Sequence, residues 1–134
     1  MIVKCINNIG KLKYTSDTIT IGKEYLVLEI NFSKMHEEFI SYRIINNDGR
    51  PVIYDASCFT VVTNELKDMV VDYQKEWCTI TPRRIFERTV GKDNINGFWA
   101  HLFVTDDPEA LRLVVSVASE LNSEQGLALP KIKL

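Results

Sequence analysis

The chain lacks every short motif that would announce a catalytic device. It has no GxxxxGK[ST] to cradle phosphates, no GxGxxG and no HExxH. Its glycines, Gly10, Gly22, Gly49, Gly91, Gly97 and Gly126, stand singly and read as turn punctuation. Histidine is scarce. His36 sits in a polar turn, KMHEE, and His101 follows Trp99 on an expected helix. Neither has a motif-borne Ser or Cys partner. Cysteine is scarce as well: Cys5, Cys58 and Cys78 are odd in number, widely spaced and each set in an apolar run. That pattern reads as reduced, packed thiols and not as a disulfide framework. With no CxxC and no Cys/His cluster, no zinc site is expected. No apolar run approaches the ~20 residues that span a bilayer. The stretch MIVKCINNIGKLKY has no apolar core followed by a small-residue cleavage site. The expectation is a cytoplasmic protein without cofactor or metal, and not an enzyme.

What is present is an ordinary globular composition. Of 134 residues, 46% are hydrophobic, and the net charge is −2. One domain, or one domain with an attached subdomain, is the expected organisation. The charge is unevenly spread. Residues 1–63 balance at zero, whereas 64–134 carry 9 basic and 11 acidic side chains. Within the latter, Arg83, Arg84, Arg88 and Lys92 outweigh Glu87, and Asp106, Asp107, Glu109, Glu120 and Glu124 outweigh Arg112. A general nucleic-acid binder is usually more basic overall.

The stretch Gly22 to Val62 is the most telling. Its β-branched and aromatic runs are separated by turn residues, the sharpest being Asn47-Asp48-Gly49. Strands are expected over 1–6, 23–32, 38–46, 51–54 and 58–62. Strict alternation over 23–32 sets Tyr25, Val27 and Glu29 on one face and Leu26, Leu28 and Ile30 on the other. Five short strands must hide their edges, which calls for closure into a barrel.

Residues 64–134 read as mostly helical after an extended start. Val70–Tyr73 and Trp77–Ile80 are β-like and either extend the barrel or cross it. Thr81-Pro82 reads as a helix start, with Thr81 as N-cap, running through Arg83 to Val90 and stopping at Gly91. A second helix is expected over 95–104, with Phe98, Trp99, Leu102 and Phe103 on one face. Asp107-Pro108 opens a third, whose apolar stripe is Leu111, Val114, Val115, Ala118 and Leu121. The tail LALPKIKL reads as extended.

The order of the first segment resembles an SH3-like barrel. The matching pieces are Gly22-Lys23-Glu24-Tyr25 entering a strand, the hairpin at Asn47-Asp48-Gly49, and the break Asp55-Ala56-Ser57 before the last strand. The resemblance implies an α+β protein: an SH3-like five-stranded β-barrel over 1–63, followed by an α-rich subdomain over 64–134 packed on it. SH3 domains that take proline-rich peptides need a pavement of aromatics. Here Tyr14, Tyr25, Tyr42 and Tyr54 are scattered, and there is no ALYDY-like run.

Carboxylate pairs exist at Glu37-Glu38, Asp106-Asp107 and Asp72 with Glu76, but Asp106-Asp107 already has a structural role at a helix start. Trp77 and Trp99 are large enough to serve as core or as a binding anchor. In size, mild acidity, scaffold and lack of enzyme motifs, the chain resembles immunity proteins of bacterial polymorphic toxin systems, including contact-dependent growth inhibition. That resemblance implies a one-to-one complex with a cognate toxin domain, often a nuclease. A nuclease surface is basic because it holds phosphates, so acids with aromatic anchors suit its inhibitor. The candidate toxin-binding residues are Glu37, Glu38, Glu65, Asp68, Asp72, Tyr73, Glu76 and Trp77. The acidic helix start at Asp106, Asp107 and Glu109 is a second choice. Two other classes stay open. One is a nucleic-acid module using the basic segment Arg83 to Lys92. The other is a small hydrolase or transferase using His101 or Cys78.

Overall fold

A computed structural model describes residues 1–10, 15–33, 39–73, 75–89 and 97–133. His36, Glu37, Glu38, Tyr14, Lys92 and the start of the expected second helix lie outside the described residues. Seven strands form among the described residues: β1 (Ile2–Cys5), β2 (Glu24–Ser33), β3 (Phe39–Ile45), β4 (Pro51–Asp55), β5 (Phe59–Thr63), β6 (Met69–Tyr73) and β7 (Trp77–Pro82). Helices α1 (Arg83–Thr89), α2 (Gly97–Thr105) and α3 (Pro108–Asn122) follow. A 3-10 turn, Ala56–Cys58, joins β4 to β5, with the Asp55 carboxylate accepting from the Ser57 amide.

All pairings are antiparallel, and β2 is the axis of the sheet. Its ten residues exceed the reach of any one neighbour. One side pairs with β3, which carries β4. The other side is shared: β1 takes Glu24–Leu26 and β7 takes Ile30–Ser33. β5 extends the sheet from β1, and β6 extends it from β7. The sheet is therefore open, with β4, β5 and β6 each paired on one side only among the described residues. The expected SH3-like five-stranded barrel is not formed. Two further strands from the segment expected to be mostly helical occupy the flank of β2 that closure would have needed. The apolar surface is hidden by helices on one face instead of by closing the sheet.

A bulge in β2 decides what each face carries. The β2–β3 register shifts between Val27 and Glu29, which makes Leu28 the additional residue. Strict alternation fails there. Leu26 and Leu28 face α2 and α3, together with Ile45, Phe98, Leu102, Val114 and Ala118. Tyr25, Val27 and Ile30 face the opposite side, with Val3, Cys5, Ile44, Cys58 and Phe59. Glu29 moves to the helix side, against expectation. Leu26 and Leu28 thus share one core with residues from 98 to 118, and both segments of the chain build it.

The helix starts follow local chemistry, with one exception. Asp107 caps α3 through its carboxylate, which accepts from the Glu109 amide, and Pro108 opens the first turn. Thr81 and Pro82, by contrast, remain in β7, and α1 begins at Arg83. The Thr81 hydroxyl is engaged with Glu29 Oε2 at 3.1 Å, so it caps nothing. On α2, Phe98, Trp99 and Leu102 are buried while Phe103 is exposed. On α3 the buried stripe is Ala110, Val114, Val117 and Ala118, with Val115 exposed. The tail beyond α3 returns over the β3–β4 hairpin, where the Lys133 amide donates to Gly49 O at 2.8 Å.

Candidate functional site

The far end of the β6–β7 hairpin brings four of the expected site residues together. Asp72 and Tyr73 close β6, Glu76 lies in the turn, and Trp77 opens β7. Tyr73 is 70% exposed, Trp77 59% and Val71 61%. Large apolar rings exposed to that degree receive no core stabilisation, so packing does not account for them. Tyr73 pairs with Cys78, and Trp77 precedes Cys78, so the two rings project from opposite faces of the hairpin end. Asp72 pairs with Thr79 and shares the face of Trp77.

The remaining candidate acids lie elsewhere or are engaged. Asp68 precedes the other end of β6, ~17 Å along the strand from Tyr73. Its carboxylate accepts from Arg83 Nε at 2.8 Å. Glu65 lies 3.7 Å from Lys67, which also pairs with Glu124. The second-choice cluster is partly committed to structure. Asp107 caps α3, accepts from Arg88 at 2.9 Å and lies 3.7 Å from His101 Nε2. The backbone amide of Glu109 holds the Asp107 carboxyl below its ordinary value, with help from the Ala110 amide and Arg88. Asp106 and Glu109 are exposed.

Among the described residues, the basic segment does not present bare cations. Arg83 pairs with Asp68, Arg84 with Glu120 at 2.6 Å and Ser116 at 2.9 Å, and Arg88 with Asp107. Each described guanidinium of this run ties α1 to a neighbouring element. A phosphate would have to displace a carboxylate at every one of them.

Sequence reading missed a dense, buried polar site at the centre of the sheet. Glu29 and Arg43 are 5% and 7% exposed, and Arg43 Nε lies 3.5 Å from Glu29 Oε1. Around the carboxylate converge Trp99 Nε1 at 2.9 Å, the Thr81 hydroxyl at 3.1 Å and Asn31 Nδ2 at 3.1 Å. Arg43 also donates to Pro51 O at 3.1 Å, and its guanidinium stacks 4.3 Å from the Trp99 ring centroid. Burial pushes the Arg43 guanidinium down, and Glu29 opposes that push. Among the described residues no buried side-chain polar atom is left without a partner. A saturated, enclosed network of this kind fixes α2 to the sheet. The one signal available in sequence was a charged residue inside the apolar run YLVLEINF.

Both contacts of His101, to Thr105 Oγ1 at 3.4 Å and to Asp107 Oδ2, fall on Nε2. A relay needs both ring nitrogens, so His101 assembles no triad among the described residues. Cys78 lies on the sheet face away from α2, and the structure does not bring it to His101. A cleft of about 340 Å³ opens beside β4, with Asp17, Tyr54, Asp55 and Cys58 in its wall. Burial pushes the Cys58 thiol up, away from the reactive thiolate. Among the described residues no group of three or more His, Cys, Asp or Glu side chains is placed to hold a metal ion, and no helix is long and apolar enough to cross a membrane. No family model, curated protein or solved structure matches this chain.

Proposed function

We propose that this chain works by binding another protein, as an immunity protein that neutralises a cognate bacterial toxin domain through the end of its β6–β7 hairpin. One observation carries this reading: Tyr73 and Trp77 stand 70% and 59% exposed at one hairpin end, beside Asp72 and Glu76. Aromatic anchors of this size supply most of the energy when a partner desolvates them, and adjacent acids speed encounter with a basic surface such as a nuclease site. Rings on both faces of the hairpin suit a partner that closes over its end. The nucleic-acid alternative draws less support, because Arg83, Arg84 and Arg88 are each neutralised by a carboxylate.

The test is capture from native cells at moderate salt, with the wild-type protein and a Tyr73→Ala/Trp77→Ala variant as parallel baits. The expected result is one stoichiometric protein partner that survives a salt wash on the wild type and is lost from the variant. Far-UV circular dichroism should show the variant folded, since both rings lie outside the core. Nucleic acid that elutes with salt would transfer the role to the basic segment. A protein partner retained equally by both baits would move the interface away from this hairpin.

A further inference from the structure

We infer that residues 127–133 act as an internal peptide ligand: a detachable strap that fills an apolar groove beside the helix–sheet core and yields it to an extended peptide of the same pattern supplied in trans. The β6–β7 hairpin and the toxin reading play no part in it.

The strap is extended for local reasons. Gly126 follows α3 with φ +62°, and its amide donates to Asn122 O at 3.1 Å, so the helix stops and the chain turns away. Pro130 fixes its own φ and keeps Leu129 out of the helical region. Proline has no amide hydrogen, so this position asks for no donor partner. Burial follows the extended course. Leu127, Leu129, Pro130 and Ile132 are half-buried, whereas Ala128, Lys131 and Lys133 are exposed. The three aliphatic side chains pack on the core that holds Leu26, Leu28 and Ile45 of the sheet and Val114 and Val117 of α3.

The strap is fastened at its two ends. At one end the Asn122 side chain clamps Leu127, accepting from its amide at 3.2 Å and donating to its carbonyl. At the other, the Lys133 amide donates to Gly49 O at 2.8 Å. Among the described residues, Ala128, Leu129, Lys131 and Ile132 enter no backbone–backbone hydrogen bond. Lifting the strap therefore breaks the bonds at these two ends and uncovers apolar surface, while every ladder of the sheet and every helix stays whole.

The groove is shaped to take a main chain. A Cβ at Gly49 would stand 2.1 Å from the Lys131 carbonyl oxygen, so the strap backbone lies directly on the β3–β4 turn and only glycine admits it there. The matching ligand has aliphatic side chains at its first, third and sixth positions and proline at its fourth, as Leu127, Leu129, Ile132 and Pro130 do. A proline-stiffened, extended segment loses little entropy on docking, which suits it to a preformed groove. The chain holds its own strap at an effective concentration on the order of millimolar. The strap is thus a built-in competitor, and a partner segment gains the groove only by displacing it.

Fluorescence anisotropy of a labelled synthetic peptide, GLALPKIKL, tests this on the full chain, as wild type and as a Leu129→Asp/Ile132→Asp variant. The two substitutions charge the inward side of the strap and leave the groove unaltered. The peptide should bind the variant at least about tenfold more tightly than the wild type. Adding Gly49→Ala to the variant should weaken that binding at least about tenfold, which locates the peptide on the turn. Far-UV circular dichroism should show the variants folded. A folded Leu129→Asp/Ile132→Asp variant that leaves the peptide unbound at about 1 mM would overturn the inference. So would equal binding to wild type and variant, or binding that Gly49→Ala leaves unchanged. Should the variants unfold, hydrogen exchange of the wild type decides. The Leu127 and Lys133 amides should exchange through an opening with little urea dependence, well before the β2 amides. Exchange of those two amides only on global unfolding would overturn the inference.

Discussion

The indole nitrogen of Trp99 donates to Glu29 Oε2 at 2.9 Å, joining α2 to the bulged centre of β2. The same carboxylate faces Arg43, whose guanidinium lies under the Trp99 ring. Removing one member leaves the others buried and unsatisfied. Glu29→Leu is expected to cost about 3–5 kcal/mol, because it strands a buried cation. Arg43→Met added to Glu29→Leu should recover part of that loss, since the uncompensated charge is gone. Trp99 and Thr81 would still lack an acceptor, so recovery is incomplete. Urea denaturation of the two single variants and the double variant gives the coupling directly.

A comparison of two glycines separates backbone strain from steric exclusion. Gly49 and Gly22 both have positive φ, +77° and +87°. A methyl group at Gly22 meets open space, whereas one at Gly49 runs into the Lys131 carbonyl oxygen. Gly22→Ala should cost roughly 1 kcal/mol, from strain alone. Gly49→Ala should cost more, about 2–3 kcal/mol, because the tail must also lift from the hairpin. Thermal midpoints should fall in that order. A truncation that removes residues 127–134 should shrink the difference between the two.

Local chemistry was legible in the sequence, and long-range pairing was not. The Asp107-Pro108 helix start and the Asn47-Asp48-Gly49 turn stand where the residues predicted them, because capping and positive φ are decided within a few residues. The expected barrel failed because β2 is shared by β1 and β7, and the β7 partners, such as Ile80 against Ile30, lie far along the chain. The bulge at Leu28 has no glycine to mark it, so the move of Glu29 to the helix side was invisible. The Thr81-Pro82 helix start failed for the same reason: a tertiary bond to Glu29 outweighed a local capping preference. Of the candidate site residues, Asp72, Tyr73, Glu76 and Trp77 stand together because a hairpin end is itself local. Glu65 and Asp68 were joined to them only by sequence proximity.

The three thiols should separate by reactivity. Cys5 and Cys58 are 1% and 3% exposed, and burial pushes both thiols up from their ordinary value. Cys78 is only half-buried, on the open sheet face. The thiolate is the reacting form, so a thiol reagent near pH 8 should modify Cys78 first and reach the other two only through opening of the core. Mass spectrometry of partially labelled protein checks the order. Cys78→Ser should abolish the fast phase and leave the slow one unchanged.

The Asp107 carboxylate makes stability depend on pH in a stated direction. Its folded value lies below the ordinary 3.8, first through the Glu109 amide and also through Arg88. A depressed carboxyl contributes stability that is fully present above the unfolded value and is lost as pH falls through the folded one. Asn at this position keeps the capping oxygen and discards the charge, so Asp107→Asn isolates the electrostatic part. The variant should melt below the wild type at neutral pH. The gap should begin to close near pH 4 and vanish at lower pH, where both side chains are neutral. Added salt should narrow the gap at neutral pH, because the Arg88 pair is partly open to solvent. A gap that persists unchanged into acid would assign the loss to cap geometry and not to charge.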